Sequence, residues 1–130
     1  MLVFDGLGQL PLFNPDNETH PPEAVVAFQE LVMQSDALLI ASPEYAHGVT
    51  ATIKNALDWL VGFGPFASKP VAILNASARA RHADAQLREV LSTMAAVIVE
   101  SACATIPLLG ANLNDNGMVS TPAVASAVRS

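Results

Sequence analysis

The sequence predicts an α/β protein, an open parallel sheet with helices on both faces. Three observations carry this. Short apolar runs at residues 37–41 (ALLIA) and 71–75 (VAILN) alternate with longer segments whose apolar residues recur at helical spacing. The runs are nearly continuous rather than alternating, as in parallel strands covered on two faces. Hydrophobic residues make up 52% of the 130-residue chain, and the mean hydropathy is +0.39, which suits a buried sheet.

Taken in order, residues 1–4 (MLVF) read as a short strand that stops at the turn signal Asp5-Gly6-Leu7-Gly8. Gly6 and Gly8 lack the third glycine of a dinucleotide loop, and no helix pattern follows at once. Pro11, Asn14-Pro15-Asp16-Asn17 and Pro21-Pro22 mark a long loop, with Leu10, Leu12 and Phe13 as its anchors. Residues 22–33 are helical, with Thr19 or His20 as cap and Val25, Phe28, Leu31 and Val32 as the buried stripe. Ser35-Asp36 ends this helix, and residues 37–41 follow as a central parallel strand.

The polar loop Ser42-Pro43-Glu44-Tyr45-Ala46-His47-Gly48 comes next. Ile53, Ala56, Leu57, Leu60 and Val61 then form one face of a helix. Ligands of open α/β sheets bind just outside the carboxyl ends of strands, and this loop occupies such an end. Gly62-Phe63-Gly64-Pro65 breaks the chain before the strand at 71–75, and a second sheet-end loop spans 77–82 (SARARH). Residues 83–97 read as a helix presenting Leu87, Val90, Leu91, Met94 and Ala95. A last strand at 97–99 continues weakly through Ala104-Thr105-Ile106. Pro107, Gly110 and residues 112–117 form a loop, and residues 121–129 a terminal helix capped by Thr121. The alternation implies right-handed crossovers within one domain, residues 1–130.

The bulk numbers exclude several classes. A net charge of −6 argues against a nucleic-acid binder. Charged residues are 14%, too few for a disordered acidic chain. Cys103 is the single cysteine, so neither an intrachain disulfide nor a cysteine zinc cluster is possible, and a cytoplasmic location is expected. Cys103 reads as a small buried hydrophobe. No signal-peptide pattern opens the chain, and no apolar run reaches membrane-spanning length. His20, His47 and His82 show no metal-ligand spacing, so no metal is assigned.

Pro43-Glu44-Tyr45-Ala46 followed by Ile53-Lys54-Asn55-Ala56-Leu57-Asp58-Trp59 resembles the signature of the NAD(P)H-dependent FMN reductases. These are flavodoxin-like proteins that include quinone, chromate and azo-dye reductases. The resemblance extends to Asp5-Gly6-Leu7-Gly8, Pro11, Phe13-Asn14-Pro15 and Lys69-Pro70-Val71. Thr50 and Ala51 stand where the family usually has proline and glycine, and Ala78 stands where proline or glycine is common. The family's first strand and helix, with a G-S-x-R-x-x-S-x-N phosphate loop between them, have no counterpart here. That is a unit of roughly 30 residues, so the resemblance implies an N-terminally truncated domain.

The resemblance implies FMN and NAD(P)H as cofactors, with no catalytic side chain because the flavin carries the chemistry. It places Ser42, Pro43, Glu44, Tyr45, Ala46, Ser77 and Arg79 at the cofactor, and Tyr45 and His47 on the substrate side. Glu44 is either a general base or an acceptor holding the loop; the second is preferred. Tyr45 lines the substrate or packs at a subunit interface, and His47 is a proton donor, a substrate contact or a plain surface histidine. Arg81 accompanies Ser77 and Arg79 as a flavin contact or a solubilising charge, and Gly48 permits an unusual turn. Lys54 and Asp58 are spaced for a surface ion pair. Asn55 and Trp59 fix their helix against a neighbour, with Trp59 a candidate anchor of a homodimer or homotetramer.

The implied function is hydride transfer from NAD(P)H through FMN to quinones, flavins or similar small-molecule electron acceptors. Neither nucleic acid nor membrane is expected as a partner. The alternative is a truncated, non-catalytic domain acting as an oligomeric or partner-binding module.

Overall fold

The computed structural model describes residues 2–75 and 81–105. The predicted terminal helix, Ser77, Arg79 and Ile106 lie outside the described residues.

Among the described residues, three α-helices pack with a parallel sheet. Helix α1 spans Glu23–Gln34 and buries Val25, Phe28 and Val32. Pro22 rather than Thr19 or His20 is its N-cap, and the Pro22 carbonyl accepts from Val25 and Val26, both at 3.0 Å. Lys69 Nζ donates to the Ser35 carbonyl at 2.6 Å, placing a cation at the helix's negative end. Strand β1, Leu38–Ala41, follows, then the short strands β2, Glu44–Tyr45, and β3, Gly48–Val49. Helix α2 runs Ala51–Val61, and β4 runs Pro70–Asn75. Helix α3, Arg81–Thr93, precedes β5, Val97–Ile98, and β6, Ala104–Thr105.

The main sheet has the order β1-β4-β5, with β6 also on β4. Leu38 lies opposite Val71 and Pro70 opposite Val97, all parallel. In β4, Val71 and Ile73 are buried and their neighbours half-buried. Val25, Leu57, Leu60, Phe66, Val71, Leu87 and Leu91 centre the core.

Four expectations need correction. Residues 2–4 form no strand: Leu2 and Val3 are 72% and 75% exposed, and Phe4 packs its ring on Phe28 at 5.0 Å. Without a neighbouring ladder, the apolar run anchors by its aromatic ring instead. Strand β1 is not covered on two faces. Leu38 and Ile40 are half-buried and Leu39 is exposed, because among the described residues β1 pairs only with β4 in the main sheet. Helix α3 starts at Arg81 and stops at Thr93, not 97. Ala96 N donates to Leu91 O and Ala95 N to Ser92 O, with Ala95 at φ 65°. This is a Schellman stop with alanine where glycine is usual, so nothing in the residue types announced it. Leu31 and Val61, expected on buried stripes, are half-buried and exposed respectively.

The last strand is split by a 3-10 turn, Glu100–Ala102. Cys103 is half-buried, and its Sγ accepts from Ile73 N at 3.3 Å and donates to Val99 O at 3.4 Å. It thus satisfies a β4 amide at the break in the ladder. Arg88 donates to Asp84 at 2.8 Å and pairs with Glu100. Its hydrogen bond to Asp84 raises its pKa above the ordinary value. Among the described residues no helix is long and apolar enough to cross a membrane.

Candidate functional site

The site begins where β1 ends. Ser42 is buried and donates from Oγ to the Pro43 carbonyl at 3.2 Å. Pro43 is exposed. The chain then forms a hairpin where the sequence predicts a plain polar loop. Glu44 pairs with Val49 and Tyr45 with Gly48. The two residues between them, Ala46 and His47, have φ 50° and 62°. Positive φ at both central positions is the type I′ pattern, whose twist matches a two-residue hairpin. Asn-Gly is the usual occupant; alanine and histidine pay roughly 1–2 kcal/mol each in this region. The expected role of Gly48 is therefore corrected: the unusual turn is made by Ala46 and His47.

Strands of two residues cannot hold such a turn alone. Helix α3 holds it at three points. Glu44 Oε1 accepts from Ala83 N at 2.8 Å, one of the first-turn donors that lack an intrahelical acceptor. The carboxylate also lies at the positive end of the helix dipole. Gln86 Oε1 accepts from Val49 N at 2.9 Å. The imidazoles of His47 and His82 stack, with centroids 4.6 Å apart and planes 14° from parallel. Tyr45 is 78% exposed beside them.

Ser42, Pro43, Glu44, Tyr45, Ala46 and His47 are thus brought together on one hairpin, and Arg81 opens the helix that supports it. Ser77 and Arg79 lie outside the described residues. Ala83, His82 and Gln86 were not picked out as supports. Their contacts are long-range in sequence, 39 residues for Glu44 to Ala83 and 37 for Val49 to Gln86, and no local pattern encodes them. Among the described residues no group of three histidines, cysteines or carboxylates is arranged to hold a metal.

The second half of the signature faces elsewhere. Asn55 Oδ1 accepts from Phe13 N at 2.8 Å, and its Nδ2 donates to Pro11 O at 3.0 Å. Trp59 Nε1 donates to the same carbonyl at 2.8 Å, and its ring meets Phe13 edge-on at 5.0 Å. Trp59 is 3% exposed, so it is a clamp on the chain's own loop, not an interface anchor. Lys54 and Asp58 pair on the outer face at 2.7 Å. A recess lined by Glu18, Gln29, Trp59, Gly62 and Phe63 lies at the far end of α2 and shares no residue with the hairpin.

The chain is similar to several known proteins. A family model described as NADPH-dependent FMN reductase matches residues 2–108. A probable NADPH:quinone oxidoreductase of Oryza sativa is 46% identical over 71 residues, which are 52% of this chain and 36% of that protein. An NAD(P)H-dependent FMN reductase of Pseudomonas aeruginosa is 44% identical over 72 residues, 53% of this chain and 39% of that protein. The chain spans well under half the length of these curated relatives. Among solved structures, the flavoenzyme FerB of Paracoccus denitrificans, an NAD(P)H:(acceptor) oxidoreductase, superposes with a TM-score of 0.78 at 28% identity. The match covers 95% of this chain and 71% of that one.

Proposed function

The chain belongs to the family of NADPH-dependent FMN reductases, and from that premise we propose an FMN-dependent NAD(P)H oxidoreductase acting on quinones, free flavins or similar acceptors. The observation that carries the reading is the α3-tethered hairpin at the carboxyl end of β1. When bound, FMN supplies the hydride chemistry, taking two electrons from NAD(P)H and passing them to the acceptor. The names of the Oryza and Paracoccus relatives, a quinone and an acceptor oxidoreductase, support the acceptor class.

The residues fit a flat, partly anionic ring system. The N–H groups of Ala46 and His47 lie at the hairpin tip, outside the Glu44–Val49 and Tyr45–Gly48 pairs. Backbone donors held in place there stabilise negative charge at no reorganisation cost. Ser42 and Pro43 set the approach of the hairpin to the strand end, and Pro43 fixes its own φ. Glu44 is committed to Ala83 N, which favours a holding role over that of a general base. Tyr45 and His47, both exposed, face the acceptor in this reading. Ser77 and Arg79 are kept as cofactor contacts on the strength of the family resemblance. A homodimer or homotetramer in the cytoplasm completes the proposal, and the single cysteine suits that compartment.

The test is flavin uptake and turnover by the purified protein. The expected result is bound FMN, seen by its visible absorbance, and NADPH oxidation that depends on added quinone. A colourless protein that takes up no FMN and oxidises no NADPH overturns the proposal.

A further inference from the structure

We infer that Gln86 is a positioning residue for the cofactor-facing hairpin, acting through the Val49 amide rather than by touching the cofactor. The inference rests on the reading of that hairpin given above. Three observations carry it.

The hairpin has two residues per strand and no glycine or asparagine in its turn, so its shape depends on tethers. Gln86 supplies one of them, at 2.9 Å. Next, the φ of Gly48 lies outside the left-handed region, so conformational freedom does not explain a glycine there. A Cβ at that position would stand 3.0 Å from Gln86 Oε1. The missing side chain is what lets the amide oxygen reach the Val49 N–H. Finally, α3 does not need Gln86 in order to pack. The helix buries Ala83, Leu87 and Leu91, and Gln86 is exposed. An exposed side chain bonded to backbone 37 residues away acts on that backbone, not on its own helix.

The chemistry needed at position 86 is an acceptor oxygen at that reach. Gln86→Leu removes it, and Gln86→Glu keeps it. A hydrogen bond of this kind corresponds to a change of about fivefold. In the flavin-free protein, amide exchange at Val49 should speed up about fivefold in Gln86→Leu and return toward the native rate in Gln86→Glu. The FMN dissociation constant, read by fluorescence quenching, should follow the same order. Gly48→Ala should weaken FMN binding in the native background and have little further effect beside Gln86→Leu, because both remove one contact.

Unchanged Val49 exchange in Gln86→Leu overturns the inference. So does faster exchange with unaltered FMN affinity, or full additivity of the two substitutions. If no form binds FMN, the native protein included, the functional proposal falls instead, and the exchange measurement still decides whether Gln86 clamps the hairpin.

Discussion

The loop at residues 10–13 and the hairpin at residues 44–49 both hang by their backbone from helix side chains, and they are built in opposite ways. Asn55 and Trp59 of α2 grip the first through three bonds of 2.8 to 3.0 Å at its Pro11 carbonyl and Phe13 amide. Their grip is sealed by a buried indole against Phe13. Glu44, Gln86 and the histidine stack hold the second at its rim, leaving its tip exposed and two residues at positive φ. One loop is fastened by burial. The other is presented to solvent by a helix that carries the strain of its turn. A single sequence signature spans both devices, and only its first half forms the candidate site.

Substitutions can break this contrast. The largest effect is expected at Trp59. Trp59→Ala removes a buried aromatic and should cost about 3–5 kcal/mol in urea unfolding, while Trp59→Phe should recover most of that. Asn55→Leu strands the Phe13 amide and should cost about 1–3 kcal/mol. It should speed exchange at Phe13 without altering exchange at Val49; equal acceleration at both would mean the two loops are one unit. At the hairpin turn one substitution reverses the sign. Ala46→Gly relieves a left-handed alanine and should stabilise by about 1 kcal/mol, seen as a raised thermal midpoint. Glu44→Gln keeps the oxygen that caps α3 but loses its charge at the helix N-terminus. It should destabilise by about 0.5 kcal/mol, less at high salt.

How much of this was legible follows the range of the interactions. The periodicity of Val25, Phe28 and Val32, and of Ile53, Ala56, Leu57 and Leu60, marked α1 and α2 within a residue or two of their bounds. The apolar runs marked β1 and β4. The i,i+4 spacing of Lys54 and Asp58 marked their ion pair. What was not legible depends on tertiary contacts. Alanine takes the left-handed position at Ala95 that ends α3, and Ala46 and His47 take it in the hairpin turn. Propensity opposes all three, and packing imposes them. That Asn55 and Trp59 fix α2 against a neighbour was legible, but which neighbour was not: the partner of Trp59, the Pro11 carbonyl, is 48 residues away.

The most direct measurement is a map of backbone amide shifts by NMR as FMN is added to the purified protein. The account predicts the largest changes at Glu44, Tyr45, Ala46, His47 and Gly48, smaller ones along the first turn of α3, and none at Phe13. Shifts centred on Phe13 and the C-terminal end of α2, with the hairpin silent, would contradict it.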